Sequence, residues 1–205
     1  MLNLLKKHYK NVKKTALDFS NPLEILVATI LSAQCTDKRV NKITPEIFKK
    51  YKTARDYAEA DIKVFEQEIK SAGFYHNKAK NIIEACKIVD KKYNGRVPDK
   101  MAELLELPGV ARKTANIVLG NGYGIVEGIA VDTHVRRLSK RMGFSKNDDP
   151  VKIEQDLMDI VDRRDWFDIS NIIIEHGRTV CKAARPGCVV CFLAEICPKT
   201  GVTGN

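Results

Sequence analysis

The sequence predicts an all-α protein. Three observations carry that: apolar residues recur at helical spacing along most of the chain, helix starts are marked by proline, and Gly or Pro breaks separate the periodic segments. Leu23, Leu26, Val27, Ile30 and Leu31 form one stripe; Ala79, Ile82, Cys86, Val89 and Tyr93 form another. Asn21-Pro22 with Glu24 supplies a cap, a proline at the first helical position and a carboxylate near the positive end of the dipole, and Asp149-Pro150 repeats the arrangement. Breaks at Asn94-Gly95, Pro98, Pro108-Gly109, Asn121-Gly122 and Gly143 leave helices of about ten to twenty residues. Ile125 to Val131 is the one segment that reads as a short strand. No period repeats and no long linker appears, so any domains must be compact and packed; periodicity alone does not place their boundary.

With 205 residues there is enough chain for one large or two small domains with real cores, and 44% hydrophobic against 30% charged residues excludes disorder. No apolar run is long enough to cross a bilayer, and MLNLLKKHYKNVKK reads as an amphipathic basic helix without the apolar core of a signal peptide. The expectation is an intracellular protein, cytoplasmic or nucleoid. A net charge of +9 suggests a polyanionic partner. Its placement strengthens that: Arg136, Arg137, Lys140, Arg141 and Lys146 follow His134 without an acid among them, and Arg178, Lys182 and Arg185 surround a cysteine.

That cysteine opens the run Cys181-x6-Cys188-x2-Cys191-x5-Cys197. Four thiols this close together read as ligands of an inorganic centre. Iron-sulfur clusters take four-cysteine ligation and often have a ligand followed by proline, as in Cys197-Pro198, whereas all-cysteine zinc sites usually carry two C-x2-C knuckles and only one is present. Spacing therefore ranks a four-iron four-sulfur cluster first, structural zinc second and disulfides last. Cys35 and Cys86 stand alone in apolar helical patterns and read as small buried hydrophobes.

Leu104 to Ala115 reads as two helices joined by the tight turn Leu107-Pro108-Gly109-Val110-Ala111. Proline ends the first helix, Gly109 can take positive φ, and the second helix starts with unpaired N–H groups suited to a phosphate oxygen. The alternative is a plain turn between core helices. Lys113 follows Arg112 in the first turn of that second helix, a setting that suits an amine nucleophile, although a single lysine is usually solvated decoration. In Val131-Asp132-Thr133-His134, Asp132 stands where a helix N-cap would be, and taken alone it reads as a cap.

Together these residues resemble the endonuclease III family of DNA glycosylases, within the helix-hairpin-helix superfamily. The resemblance runs from Leu31-Ser32-Ala33-Gln34-Cys35-Thr36-Asp37 through Gly73-Phe74-Tyr75, the hairpin and Val131-Asp132-Thr133-His134 to the four cysteines. It implies a 4Fe-4S cluster on Cys181, Cys188, Cys191 and Cys197, with Lys113 and Asp132 as the catalytic lysine and aspartate. It implies two helical domains, a six-helix barrel over about 15–125 and a cluster domain from 1–14 and 126–205, with the active site in the cleft between them. Gln34 and Phe74 match positions that enter the duplex, Phe74 standing where Leu is common. Pro108, Gly109, Val110, Ala111, Arg112, Lys182 and Arg185 match DNA-contacting positions, with Ala111 in place of a second hairpin glycine. The implied activity is excision of oxidised pyrimidines from duplex DNA, followed by cleavage 3′ to the abasic site by a monomer; the alternatives are a non-catalytic DNA-damage binder and an unrelated zinc-stabilised helical protein.

Overall fold

A computed structural model describes residues 1–12 and 15–202. The described chain is helical, and the pairing between Cys181 and Pro186 is an isolated bridge, not a strand. In chain order the α-helices are α1 (Leu2–His8), α2 (Pro22–Ser32), α3 (Asp37–Lys50), α4 (Ala54–Ala58), α5 (Ile62–Glu68), α6 (Tyr75–Lys92), α7 (Met101–Leu104), α8 (Arg112–Val118), α9 (Thr133–Arg141), α10 (Pro150–Ile160) and α11 (Trp166–Thr179). They divide between two compact units, one of Thr15–Glu127 and one joining Met1–Lys14 to Gly128–Asn205.

Both proline-led starts form for the reasons their sequence gives. Asn21 Oδ1 accepts the Glu24 N–H at 3.0 Å, and Glu24 reaches back to the Ser20 N–H. Asp149 Oδ1 accepts from both Val151 and Lys152, each at 3.0 Å. Behind its cap α2 is buried on every side from Ile25 to Leu31, so it forms the centre of the Thr15–Glu127 unit rather than a surface helix. Around it close Val40 and Ile47 of α3, Ile82 and Val89 of α6, and a cluster in which the Tyr51 ring stacks on Tyr57 at 5.0 Å and Phe65 meets both edge-on. Cys86 fits the small-hydrophobe reading, and burial pushes its thiol up to about 12. Cys35 does not: it is only partly buried, in the bend after α2.

Two further expectations are corrected. Ile125–Val131 forms no strand, because no described segment pairs with it; Ile125 packs on the core around α2, while Ile129 and Val131 join the other unit's core. Asn121-Gly122 does not break the helix either. It lies in a π-turn, Leu119–Tyr123, that continues α8, with Asn121 Nδ2 donating to the Ile117 carbonyl at 2.8 Å. A side chain at Gly122 would sit 3.4 Å from the Pro22 backbone, so the missing Cβ serves close packing on the start of α2. The reversal falls at Gly124, with φ 69°.

In the other unit, Leu5 of α1 is buried with Ile129, Val135 and Leu138 of α9, Ile153 and Leu157 of α10, Ile169 and Ile173 of α11, and Leu193. Helices α9 and α11 approach so closely at Gly177 that an added Cβ would lie 2.8 Å from His134 Nδ1.

Candidate functional site

The hairpin runs from α7 to α8. Leu104, Leu107 and Val110 are buried and anchor it to the core. Gly109 has φ 78°, and a Cβ there would come within 3.0 Å of Asn81, so conformation and space both demand glycine. The Val110 N–H is consumed by the Leu107 carbonyl at 3.0 Å, which leaves exposed Gly109 and Ala111, with Arg112 behind them, as the outward face of the turn. Ala111 is extended (φ −91°, ψ 170°), not helical, so its methyl is tolerated because φ is negative. The first bond within α8 runs from the Ala115 N–H to the Ala111 carbonyl at 3.0 Å, and Ala111 at the N-cap has no polar side chain to cap the helix. Amides of its first turn therefore have no partner inside the helix.

Lys113 lies in that first turn and is exposed. Among the described residues its amine makes no hydrogen bond or ion pair. In the Gly128–Asn205 segment, Asp132 caps α9 with a single oxygen: Oδ1 accepts the His134 and Val135 N–H groups, both at 2.8 Å. The cap reading of Asp132 is thus correct, and neither capping bond goes to Oδ2.

Gln34 and Phe74 share an unusual backbone. Both have positive φ, 52° and 47°, and both are exposed, Phe74 by 64%. Gly73 precedes Phe74 at φ 70°, ψ 158°, a region that is essentially glycine-only. Phe74 therefore does not pack under its own helix; it projects from a strained turn.

Cys181, Cys188, Cys191 and Cys197 line one pocket together with Met142, His176 and Leu193. None is in a disulfide. Among the described residues no three His, Cys, Asp or Glu side chains are drawn together as they would be around a single metal ion. The sulfurs already have polar neighbours: Leu193 donates its N–H to Cys191 Sγ at 3.4 Å and Arg141 reaches Cys181 Sγ at 3.4 Å. His176 was invisible in the sequence. It is 1% exposed, meets the Tyr9 hydroxyl at 2.9 Å through Nδ1 and faces Cys191 Sγ at 3.7 Å through Nε2. Burial, with His8 as a smaller influence, pushes its imidazole down to about 4, so it stays neutral at ordinary pH.

The basic run on α9 is not an open cationic face. Arg137 donates to the Gly177 and Cys181 carbonyls at 3.2 and 3.0 Å, and Arg141 to the Lys182 and Ala183 carbonyls, both at 2.8 Å. These two arginines hold the loop that carries the first cysteine. Lys140 pairs with Asp148 at 3.0 Å, and this hydrogen bond holds the Asp148 carboxyl below its ordinary range. Lys182 and Arg185, in contrast, are exposed on the loop itself.

The pattern of the HhH-GPD superfamily of base excision DNA repair proteins matches residues 27–163. Endonuclease III of Synechocystis sp. is 52% identical over 199 residues, covering 97% of this chain and 90% of that protein. The chain belongs to the endonuclease III family. The family's Bacillus subtilis protein is 46% identical over 179 residues, 87% of this chain and 81% of its own length. Among solved structures, a trapped endonuclease III–DNA covalent intermediate superposes with a TM-score of 0.92 at 43% identity, over 97% of this chain and 92% of that one. A non-covalent endonuclease III–DNA complex gives 0.91 at the same identity and coverage. No described helix is long and apolar enough to cross a membrane.

Proposed function

We propose that this chain is a bifunctional DNA glycosylase and AP lyase of base excision repair. It removes oxidised pyrimidines such as thymine glycol from duplex DNA and cuts the strand 3′ to the abasic site. The observation that carries this reading is the exposed Lys113 on the helix after the hairpin, in a chain 43% identical to an endonuclease III that was trapped covalently on DNA.

A damaged pyrimidine is out of reach inside the duplex, so the nucleotide must be extruded, and a base that has lost aromatic stacking is cheaper to extrude. Lys113 Nζ forms a bond to C1′ as the C1′–N bond breaks, and the electron pair leaves with the base, which takes up a proton. Asp132 opposes the positive charge that develops on the sugar through the oxygen its cap does not use. Ring opening leaves an imine between Lys113 and C1′. Its protonated form acidifies the C2′ hydrogens, and loss of one expels the 3′ phosphate. Gln34 and Phe74 fill the space the nucleotide vacates, for which their exposure and strained turns suit them. The outward face of the hairpin and the Lys182–Arg185 loop hold phosphates.

A four-iron four-sulfur cluster fits the cysteine pocket: four soft thiols on shared walls, with N–H donors already directed at two of the sulfurs. Cys181, Cys188, Cys191 and Cys197 would hold it, and it would cross-link the segment just after α11 to the C-terminal loops, which would make metal binding part of the folding energy. Elemental analysis of purified protein should give about four irons and four sulfides per chain, with visible absorbance that Cys191→Ser abolishes. Stoichiometric zinc in a colourless protein would refute the assignment.

The whole reading is tested by incubating the protein with a thymine-glycol duplex and borohydride, which should yield released base and a stable protein–DNA adduct. Binding without either product would favour a damage binder. Replacing Lys182 and Arg185 together by Ala should weaken binding to damaged and undamaged duplexes alike and reduce the salt slope by about two units. A loss confined to the damaged duplex would mean that the loop reads the base.

A further inference from the structure

The strained segments at Gln34 and Phe74 are joined through one buried side chain. Lys78, in the first turns of α6, is 4% exposed, yet its ammonium donates to the Leu31 carbonyl at 2.7 Å and the Ala72 carbonyl at 3.0 Å. Leu31 lies in the last turn of α2, where carbonyls have run out of intrahelical donors, and it precedes Gln34 by three residues. Ala72 ends the 3-10 turn Lys70–Ala72 and precedes Phe74 by two residues. The backbone N–H of Lys78 donates to the Phe74 carbonyl at 3.1 Å. One residue is therefore bonded to the segment before Gln34, to the segment before Phe74 and to Phe74 itself.

A buried ammonium is an expensive way to fill space, and this one also stands near the positive end of a helix dipole. Burial lowers its pKa, only partly offset by the nearby Cys35. Methionine has nearly the same shape and would avoid both penalties, but it has no donors. What the cation supplies is a set of N–H groups that can bond two carbonyls from different parts of the chain at once.

We infer that Lys78 is a positioning residue for base extrusion: its ammonium fixes the Gln34 and Phe74 segments relative to each other so that both side chains enter the duplex as the damaged nucleotide leaves it. This rests on the glycosylase reading. A misplacement of about 1 Å in such a pair is enough to cost about a hundredfold in rate. The loss should follow how much stacking has to be broken, since a base that is already unpaired needs less help to leave the helix.

The test compares wild type, Lys78→Met and Lys78→Gln in single-turnover excision from two substrates. In one, thymine glycol faces adenine in a fully paired duplex; in the other it lies within a short run of mispaired neighbours. A 2-aminopurine beside the lesion reports loss of stacking. Lys78→Met should lose about a hundredfold relative to wild type on the paired duplex and only about threefold in the mispaired run, with the 2-aminopurine rise slowed in parallel. Lys78→Gln keeps a donor for one carbonyl and should fall between. Equal losses on the two substrates, no loss on either, or a collapse of the melting temperature in both variants would overturn the inference, the last by making Lys78 a residue of the fold alone. A wild-type protein that excises from neither substrate would instead remove the glycosylase reading itself.

Discussion

Lys113→Gln should abolish both the borohydride-trapped adduct and base release, while lesion binding stays within about threefold of wild type. Glutamine nearly matches lysine in length but has no amine, so no bond to C1′ can form. Because the Lys113 side chain is exposed and bonded to nothing among the described residues, its loss should change stability by less than about 0.5 kcal/mol. Binding is retained because the elements proposed to grip phosphate, the hairpin face and the Lys182–Arg185 loop, are untouched. Lys113→Arg separates charge from nucleophilicity: it keeps the cation, and it should be as inactive as Lys113→Gln. Denaturing gels after borohydride treatment and melting curves on the same preparations check all of this. An adduct at wild-type yield from Lys113→Gln would mean that another amine does the chemistry, and the assignment would fail at its central residue.

The features that could be read directly from the sequence are those set by local rules. The caps at Asn21 and Asp149, the glycine at 109 and the gathering of four cysteines around one pocket each follow from a short stretch of chain whose chemistry leaves few options. What could not be read depends on contacts made far along the chain. Arg137 and Arg141 look like part of a cationic face until α9 is set beside the loop after α11, where backbone carbonyls claim them. Asn121-Gly122 carries a turn signal, but packing on Pro22 keeps it helical. Lys78 is the extreme case. A lysine is almost never buried, and nothing near it in sequence indicates that two carbonyls, from Leu31 and Ala72, will converge on its side chain. Cys35 fails in the opposite direction: its apolar neighbours suggest burial, but α2 ends just before it and leaves it partly exposed.

Asp132→Asn should slow base release by about a hundredfold or more at nearly unchanged stability, and the geometry of the cap makes that separation possible. Both capping bonds go to Oδ1, and asparagine is as good an N-cap as aspartate, so its carbonyl oxygen can keep the His134 and Val135 amides while its NH2 group takes the place of Oδ2. The substitution then replaces an anionic acceptor with a neutral donor at the position proposed to oppose a cationic sugar, and alters little else. Asp132→Ala removes the cap as well, at about 1 kcal/mol, which for a chain of this size lowers the melting temperature by about 2–4 °C. The two variants should therefore share the same rate deficit but differ in melting, and this pattern distinguishes electrostatic catalysis from helix capping. If the rate loss appeared only in Asp132→Ala, in step with its lower melting temperature, Asp132 would be a structural cap and the charge on the sugar would be balanced by another group.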